Sequence, residues 1–475
     1  MERALKCKLL GYLLLSAISF SYLILLPQAS VSVLIFVLIQ FVCLLALAPR
    51  KKPLLIFIPL FILAANSLIS ANRMWQIPNL VIALLLYSVM ALWMTGGLSV
   101  KGPLLQFFLD IGIRIVDAFS RFPVPIQWGA DAPKEHKPQL MRVLLGIGIS
   151  LPILLGLVIV LSMADEIFAQ TVLRAIDSLS LLARPEDAAR LTIGLAVGFY
   201  LFGVLHTVYF VRRREPEEEE LVFAKSEWEG VCMVVNIVLV SVLLVYTLFV
   251  AIQFRYLFAP SDRLPYGLNF VEYARRGFFE LLALTGVNIL FILLAVWLIK
   301  TRAGQGAKLT KGLCFYLCAV TVVLLVSSFY RMWLYSSDDG LTRLRFLVFG
   351  FLLFEALGLL ITFFYIAKPN FNIVAVYTVI ALSYYLLLNL VPMDRVIARN
   401  QIDRYFETGR GGISYTLSLS PDAAPEIVRL LESENEETRL LAQSYFERQR
   451  LASDADWRQW NLSRNRAQDL GSRVK

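Results

Sequence analysis

Long apolar blocks separated by short polar or basic stretches organise most of the chain. They fall at roughly 8–26, 31–48, 54–70, 78–95, 140–163, 190–211, 229–254, 277–299, 311–334, 345–366 and 371–391. About 20 apolar residues in helical form cross the hydrocarbon core of a bilayer. Backbone amides in lipid must be paired internally, so each block is predicted as a helix. The pattern therefore predicts an all-α polytopic transmembrane helix bundle with about eleven spans. The short second and third blocks could instead pair as a re-entrant hairpin. Arg3, Lys6 and Lys8 precede the first block, as in a signal peptide, but Pro27 and Gln28 make a poor cleavage site after Ala29. Another block follows at once, so the first is expected to be a retained anchor.

Shorter amphipathic stretches lie between the blocks. In 103–122 the polar residues Gln106, Asp110, Arg114, Asp117 and Arg121 recur every three or four places among Leu, Phe and Ile. That spacing predicts an interfacial helix with one polar stripe, lying along the membrane surface. The stretch 165–182 repeats the pattern more weakly with Glu166, Gln170, Arg174 and Asp177, and 264–280 is a third. After Pro392 the composition turns polar while the spacing stays helical. Ser420-Pro421-Asp422 reads as a helix start. Val428, Leu430 and Leu431, then Leu440, Leu441 and Phe446, mark two short helices, and a third is expected from Ser453 with Trp457 and Trp460. Four regions follow: an N-terminal four-span region (1–95), a cytoplasmic loop with an interfacial amphipathic helix (96–139), a seven-span core (140–391) and a small helical C-terminal domain (392–475).

Composition agrees with this picture. Hydrophobic residues make up 58% and charged residues 17%, with a mean hydropathy of +0.67. Disorder and ordinary soluble enzyme domains are excluded as first readings. The net charge of +9, from 45 Lys+Arg and 36 Asp+Glu, belongs to helix ends and not to nucleic-acid binding. With a cytoplasmic N-terminus, the inside segments carry roughly twenty basic residues and the outside loops about nine. An odd number of spans then places the tail after Pro392 outside the cytoplasm; one span more or fewer places it inside. A bilayer is the expected partner.

Chemical motifs are sparse. The 5 cysteines (Cys7, Cys43, Cys232, Cys314, Cys318) form no CxxC and no disulfide framework, and the two histidines, His136 and His206, give a metal site or a triad little to work with. Cys314 and Cys318, four apart, fit helix packing better than ligation, and His206 fits a packing role. No Walker A loop, HExxH or GxSxG occurs. No metal, no cofactor and no catalytic residue is predicted, and an intramembrane enzyme is the weakest reading. Glu215-Pro216-Glu217-Glu218-Glu219-Glu220 reads as a solvated charge run.

Intramembrane ionisable groups are the default functional candidates, because they are costly to place there. Glu355, centred in Phe351–Leu357, is either a proton- or cation-coupling carboxyl or a hydrogen-bonded pin between helices. Glu272, Arg276 and Glu280 are each four apart and stack as an ion ladder, with Arg275 beside it and Asn288 two turns deeper. The ladder reads as a structural seam or as a polar pathway or headgroup clamp. Arg343, Arg345, Arg395, Arg399 and Asn400 fall on the same predicted outside face, with Tyr273, Tyr335 and Tyr405 nearby. Forked guanidinium groups with aromatics hold phosphate or carboxylate well, although they also lock loops.

The stretches Tyr273–Leu281, Gly340–Arg345, Asp394 with Ile397-Ala398-Arg399-Asn400 and Arg404-Tyr405, and Trp457-Arg458-Gln459-Trp460-Asn461-Leu462-Ser463 resemble an uncharacterised family of polytopic bacterial membrane proteins. That family is the domain of unknown function 4173, related to 4153. The resemblance covers about 225–465. It implies a multi-pass protein of the bacterial cytoplasmic (inner) membrane, in a group sometimes labelled permeases, and it supplies no ligand or catalytic residue. Two functions follow as expectations. One is a transporter-like protein handling an anionic small molecule or lipid headgroup through the Arg/Glu cluster. The other is a non-catalytic scaffold or sensor subunit that docks a protein partner through 392–475 and its surface helices.

Overall fold

The computed structural model of the protein describes residues 2–26, 28–47, 55–95, 104–129, 185–210, 225–257, 278–299, 305–369, 371–451 and 456–473. Among the described residues there is no strand, and the protein is an all-α polytopic bundle. Among the described residues eight helices are long and apolar enough to cross a membrane, and Val31–Leu47 and Phe57–Ile69 are shorter apolar helices. They account for ten of the predicted blocks. The block at 140–163, the stretch 165–182, the Glu215–Glu220 run and residues 264–277 lie outside the described residues.

The chain divides into two compact units, Met1–Glu217 with Ser453–Asn465, and Glu218–Ala452 with Arg466–Lys475. The first holds α1 (Glu2–Leu23), α2 (Val31–Leu47), α3 (Phe57–Ile69), α4 (Gln76–Thr95), α5 (Leu104–Ser120), α6 (Pro123–Gly129) and α7 (Pro185–Phe210). The most extensive contact is between α1 and α7, and small residues make it possible. A Cβ on Gly194 would strike Ser21, and one on Gly198 would lie 2.7 Å from the Ala17 Cβ and 2.9 Å from the Leu13 carbonyl. Gly194 and Gly198 form a small-xxx-small pair, which lets helix backbones approach in lipid. At 13 residues α3 rises only about 20 Å, short of a full crossing, and it packs on α2. Reading these two helices as a re-entrant pair leaves the parity of the crossings unchanged.

Helix α5 forms where the sequence predicts an amphipathic helix. Its polar side is turned inward: the Arg114 side chain is largely covered and pairs with Asp117 at 3.3 Å. Leu109, Ile113 and Val116 face out. The reason is a close approach to α7, where Gly203 meets the Ala118 backbone. An outward apolar face suits lipid, and the polar stripe is hidden from it.

The second unit holds α8 (Lys225–Leu257), α9 (Phe278–Ile299), α10 (Gln305–Asp339), α11 (Arg343–Ala367), α12 (Ile373–Leu390), α13 (Met393–Thr408) and α14 (Glu436–Leu451). Cys232, Ile299 and Ala307 form one cluster, so the start of α8, the end of α9 and the start of α10 share one end of the bundle. The opposite end carries a small collar made of α13, short turns over 413–432, and α14. Its core is Ile397, Ala398, Ile402, Ala423, Ile427, Leu430, Ala442 and Phe446, with Leu341, Phe346 and Leu347 of the α10–α11 junction packed against it. Outward-facing Leu244, Val245 and Leu248 are the lipid-facing kind of surface. The last helix, α15, runs Leu462–Arg473. It starts later than the predicted Ser453, because Trp457–Gln459 forms a single 3₁₀ turn capped by Asp456.

Candidate functional site

The second unit has two polar regions, one at the collar and one within the bundle. At the collar, Gly340 (φ 75°) turns the chain from α10 into α11. A side chain there would collide with Gln401. Gln401 Nε2 donates to the Leu341 carbonyl at 2.8 Å, and the Leu341 N–H donates to Asn400 Oδ1 at 2.9 Å. The next residues bring in charge. Arg343 binds Asp394 as a two-pronged fork, Nε to Oδ1 at 2.8 Å and Nη2 to Oδ2 at 2.6 Å, and the Ser420 N–H donates to Oδ2 at 2.9 Å. Asp394 is 0% exposed. Burial alone would raise its pKa, but the hydrogen bonds from Arg343 and Ser420 prevail and hold the carboxyl below its usual value.

The neighbouring arginines are also engaged. Arg345 lies over the Tyr335 ring at 3.8 Å and donates to the Gly340 carbonyl. Arg395 donates to Glu426 at 3.0 Å. Arg399 faces Asp403 at 3.8 Å in a largely exposed pair, and Arg429 meets the same aspartate at 2.7 Å. Tyr405 shares its hydroxyl with Ser433 and Thr438.

Among the described residues the bundle region contains neutral polar groups and the carboxyl of Glu355. Tyr246 donates to Asn288 Oδ1 at 2.9 Å, and Asn288 Nδ2 donates to Thr321 at 3.1 Å, linking α8, α9 and α10. One turn away, Thr285 donates to Glu355 Oε2 at 2.6 Å. Glu355 is 4% exposed, and its Oε1 has no hydrogen-bond partner among the described residues. Gly286 leaves room there, since a Cβ would stand 3.3 Å from Oε1. This half-held carboxyl can take up a proton or a cation. Thr285 carries no mark in the sequence beyond lying three residues before Asn288.

The structure thus gathers Arg343, Arg345, Arg395, Arg399 and Asn400 at one end of the unit. Glu355 is separate from them, twelve residues along α11 from Arg343, or about 18 Å. Glu272, Arg275 and Arg276 lie outside the described residues, and Glu280 sits in the first turn of α9. Among the described residues no His, Cys, Asp or Glu cluster could hold a metal ion. Cys314 and Cys318 are buried in helix packing, and His206 stacks on Phe210 at 4.7 Å beside Trp128.

In the first unit, the Trp457–Ser463 stretch closes the helix ends. Arg458 donates to the Tyr22 carbonyl at 2.7 Å, lies 4.3 Å over the Tyr22 ring and is paired with Asp456. Asn461 Nδ2 donates to the carbonyls of Ser67 and Ser70 at 3.0 and 2.9 Å. These contacts hold a segment more than 390 residues away in sequence against the exit of α3.

Among known families, one described as a domain of unknown function, DUF4153, matches residues 14–430. No curated protein and no solved structure matches the chain.

Proposed function

The chain belongs to the DUF4153 family of unknown function, and we propose that it is a transporter-like membrane protein with Glu355 as its coupling carboxyl. The substrate class that fits is an anionic small molecule or lipid headgroup. The observation that carries this reading is the half-satisfied Glu355, buried in the bundle with one oxygen on Thr285 and the other without a partner among the described residues. Most buried polar atoms have a hydrogen-bond partner, so the open Oε1 favours a group that exchanges a proton or ligand. The Asn288–Thr321–Tyr246 chain shares α9 with Thr285, one turn from it, and offers hydroxyl and amide groups for a polar path.

The placement of charge supports an orientation. Lys6 and Lys8 stand at the start of α1, and the Arg458 contact is at its end. In the second unit Lys308 and Lys311 open α10 and Lys368 follows α11, while the collar lies at the other ends of those helices. Basic ends face the cytoplasm in most membrane proteins. Lys6 and Lys8 at the start of α1 support a cytoplasmic N-terminus; an extracytoplasmic tail and the inner membrane of a bacterium belong to the proposal.

A second reading has its own support. Arg343, Arg345 and Arg395 are all engaged with protein groups, which favours a collar that locks helices and presents 392–475 to a protein partner. Infrared difference spectroscopy separates the two. The full chain in lipid nanodiscs is titrated, and the carboxyl band assigned by Glu355→Gln is followed. A coupling carboxyl gains and loses its proton over the titration. A band that never changes removes the transporter reading and leaves the scaffold.

A further inference from the structure

The first unit contains a pocket that none of the preceding roles uses. It lies where the α1–α2 loop, the end of α3, the start of α4 and the Trp457–Ser463 stretch meet. Its wall is polar, with Ser30, Asn66, Asn72, Gln76 and Asn79 around the single cation Arg464. Among the described residues no carboxylate lines it, and the polar wall with one guanidinium suits an anion better than a cation. Asn66, Asn72 and Arg464 are more than nine-tenths buried, so these groups are held in place and not free on a surface.

The positioning is specific. Asn461 grips the carbonyls of Ser67 and Ser70, which line the pocket, and accepts the Arg464 N–H at 3.2 Å. Arg464 Nη1 donates to the Gln459 carbonyl at 2.9 Å. The Arg458–Asp456 pair anchors the same stretch on the end of α1. The whole motif therefore serves to bring one guanidinium to a ring of amides and hydroxyls. A buried guanidinium selects phosphate or carboxylate, and surrounding amides and hydroxyls select hydroxyl groups on the carrier.

We propose that this pocket binds an anionic group, phosphate or carboxylate, on a hydroxyl-bearing carrier, with Arg464 as the anion contact. At a helix-end position of a membrane unit, two sources share that chemistry: the headgroup of a glycerophospholipid, or a free glycerol phosphate.

The test uses the full chain in nanodiscs of phosphatidylcholine, with thermal stability and native mass spectrometry as readouts. Phosphatidylglycerol doped into the disc is one probe, and free sn-glycerol 3-phosphate is the other. Retention of phosphatidylglycerol with no response to the free ester identifies a lipid site. Response to both, or to the free ester alone, identifies a solute site. Arg464→Gln is expected to weaken the binding probe by roughly tenfold or more, and Arg464→Lys to retain part of it. Because Arg464 also braces its own stretch, Asn79→Leu serves as a second variant that narrows the pocket and leaves the guanidinium in place. Wild-type protein that distinguishes neither probe from phosphatidylcholine or glycerol overturns the proposal. So does undiminished binding in Arg464→Gln and Asn79→Leu together.

Discussion

Asp394 in the collar and Glu355 in the bundle are both withdrawn from their surroundings, at 0% and 4% exposure, yet the chain treats them in opposite ways. Asp394 receives two N–H groups from Arg343 and one from Ser420. Glu355 receives one hydroxyl, and its other oxygen has no partner among the described residues. A buried charge that is fully paired is a fixed part of the fold. A buried carboxyl with an open position can change its proton or its ligand. The difference teaches that burial alone does not describe a buried acid; how many of its hydrogen bonds are met separates these two carboxyls.

The strongest way to break the comparison is to remove the collar carboxyl. Asp394→Ala leaves Arg343 and the Ser420 N–H without their partner; breaking a buried pair costs about 3–5 kcal/mol, and because Arg343 is about a third exposed the loss is expected at or below the low end of that range. Hydrogen exchange of 393–451 in nanodiscs should show the collar opening while the bundle helices stay protected. Unchanged protection would mean that the Arg343–Asp394 fork is not what holds the collar.

Acid should do part of the same work. Because the native pKa of Asp394 is depressed below 3.8, its stabilising effect is complete above that value. It is lost as pH falls from there through the lower native pKa. Collar exchange rates are expected to be flat from neutral pH down to about 4 and to rise below it. Asp394→Asn should remove that rise. Arg395→Ala gives a smaller effect, because Arg395 is nearly half exposed opposite Glu426 and such pairs contribute about 0.2–1 kcal/mol. A loss of several kcal/mol would place Arg395 in a tighter network than its contacts with Glu426 indicate.

The bundle was legible in the sequence because the bilayer imposes one period and one length on every crossing. The blocks at 311–334 and 345–366 became α10 and α11 with only their ends extended. The i,i+4 pair Arg399–Asp403 was legible for the same local reason. The partners of Arg343 and Arg395 were not, since Asp394 lies 51 residues away and Glu426 lies 31 away from them. Nor was the role of Arg458, whose target carbonyl is 436 residues distant. The Gly194–Gly198 spacing is plain in the chain, but it gains meaning only when α1 supplies Ala17 and Ser21. The inward turn of α5 was hidden because a polar stripe fits a water surface and a protein surface equally well.

The smallest expected stability effect belongs to Glu355. Replacing it with Gln keeps its size and retains an oxygen for the Thr285 hydroxyl, whose present bond is 2.6 Å. The new amide NH₂ takes the place of Oε1, which meets no partner among the described residues, so one unmet polar group replaces another. Exchanging a half-satisfied buried acid for a neutral amide is expected to change unfolding by about 1 kcal/mol or less. Thermal unfolding of the variant in nanodiscs should therefore overlay the wild type, although the infrared carboxyl signal disappears. A fall comparable to that of Asp394→Ala would show that Glu355 pins α9 to α11 as Asp394 pins the collar. The two carboxyls would then be alike, and the functional distinction drawn between them would fail.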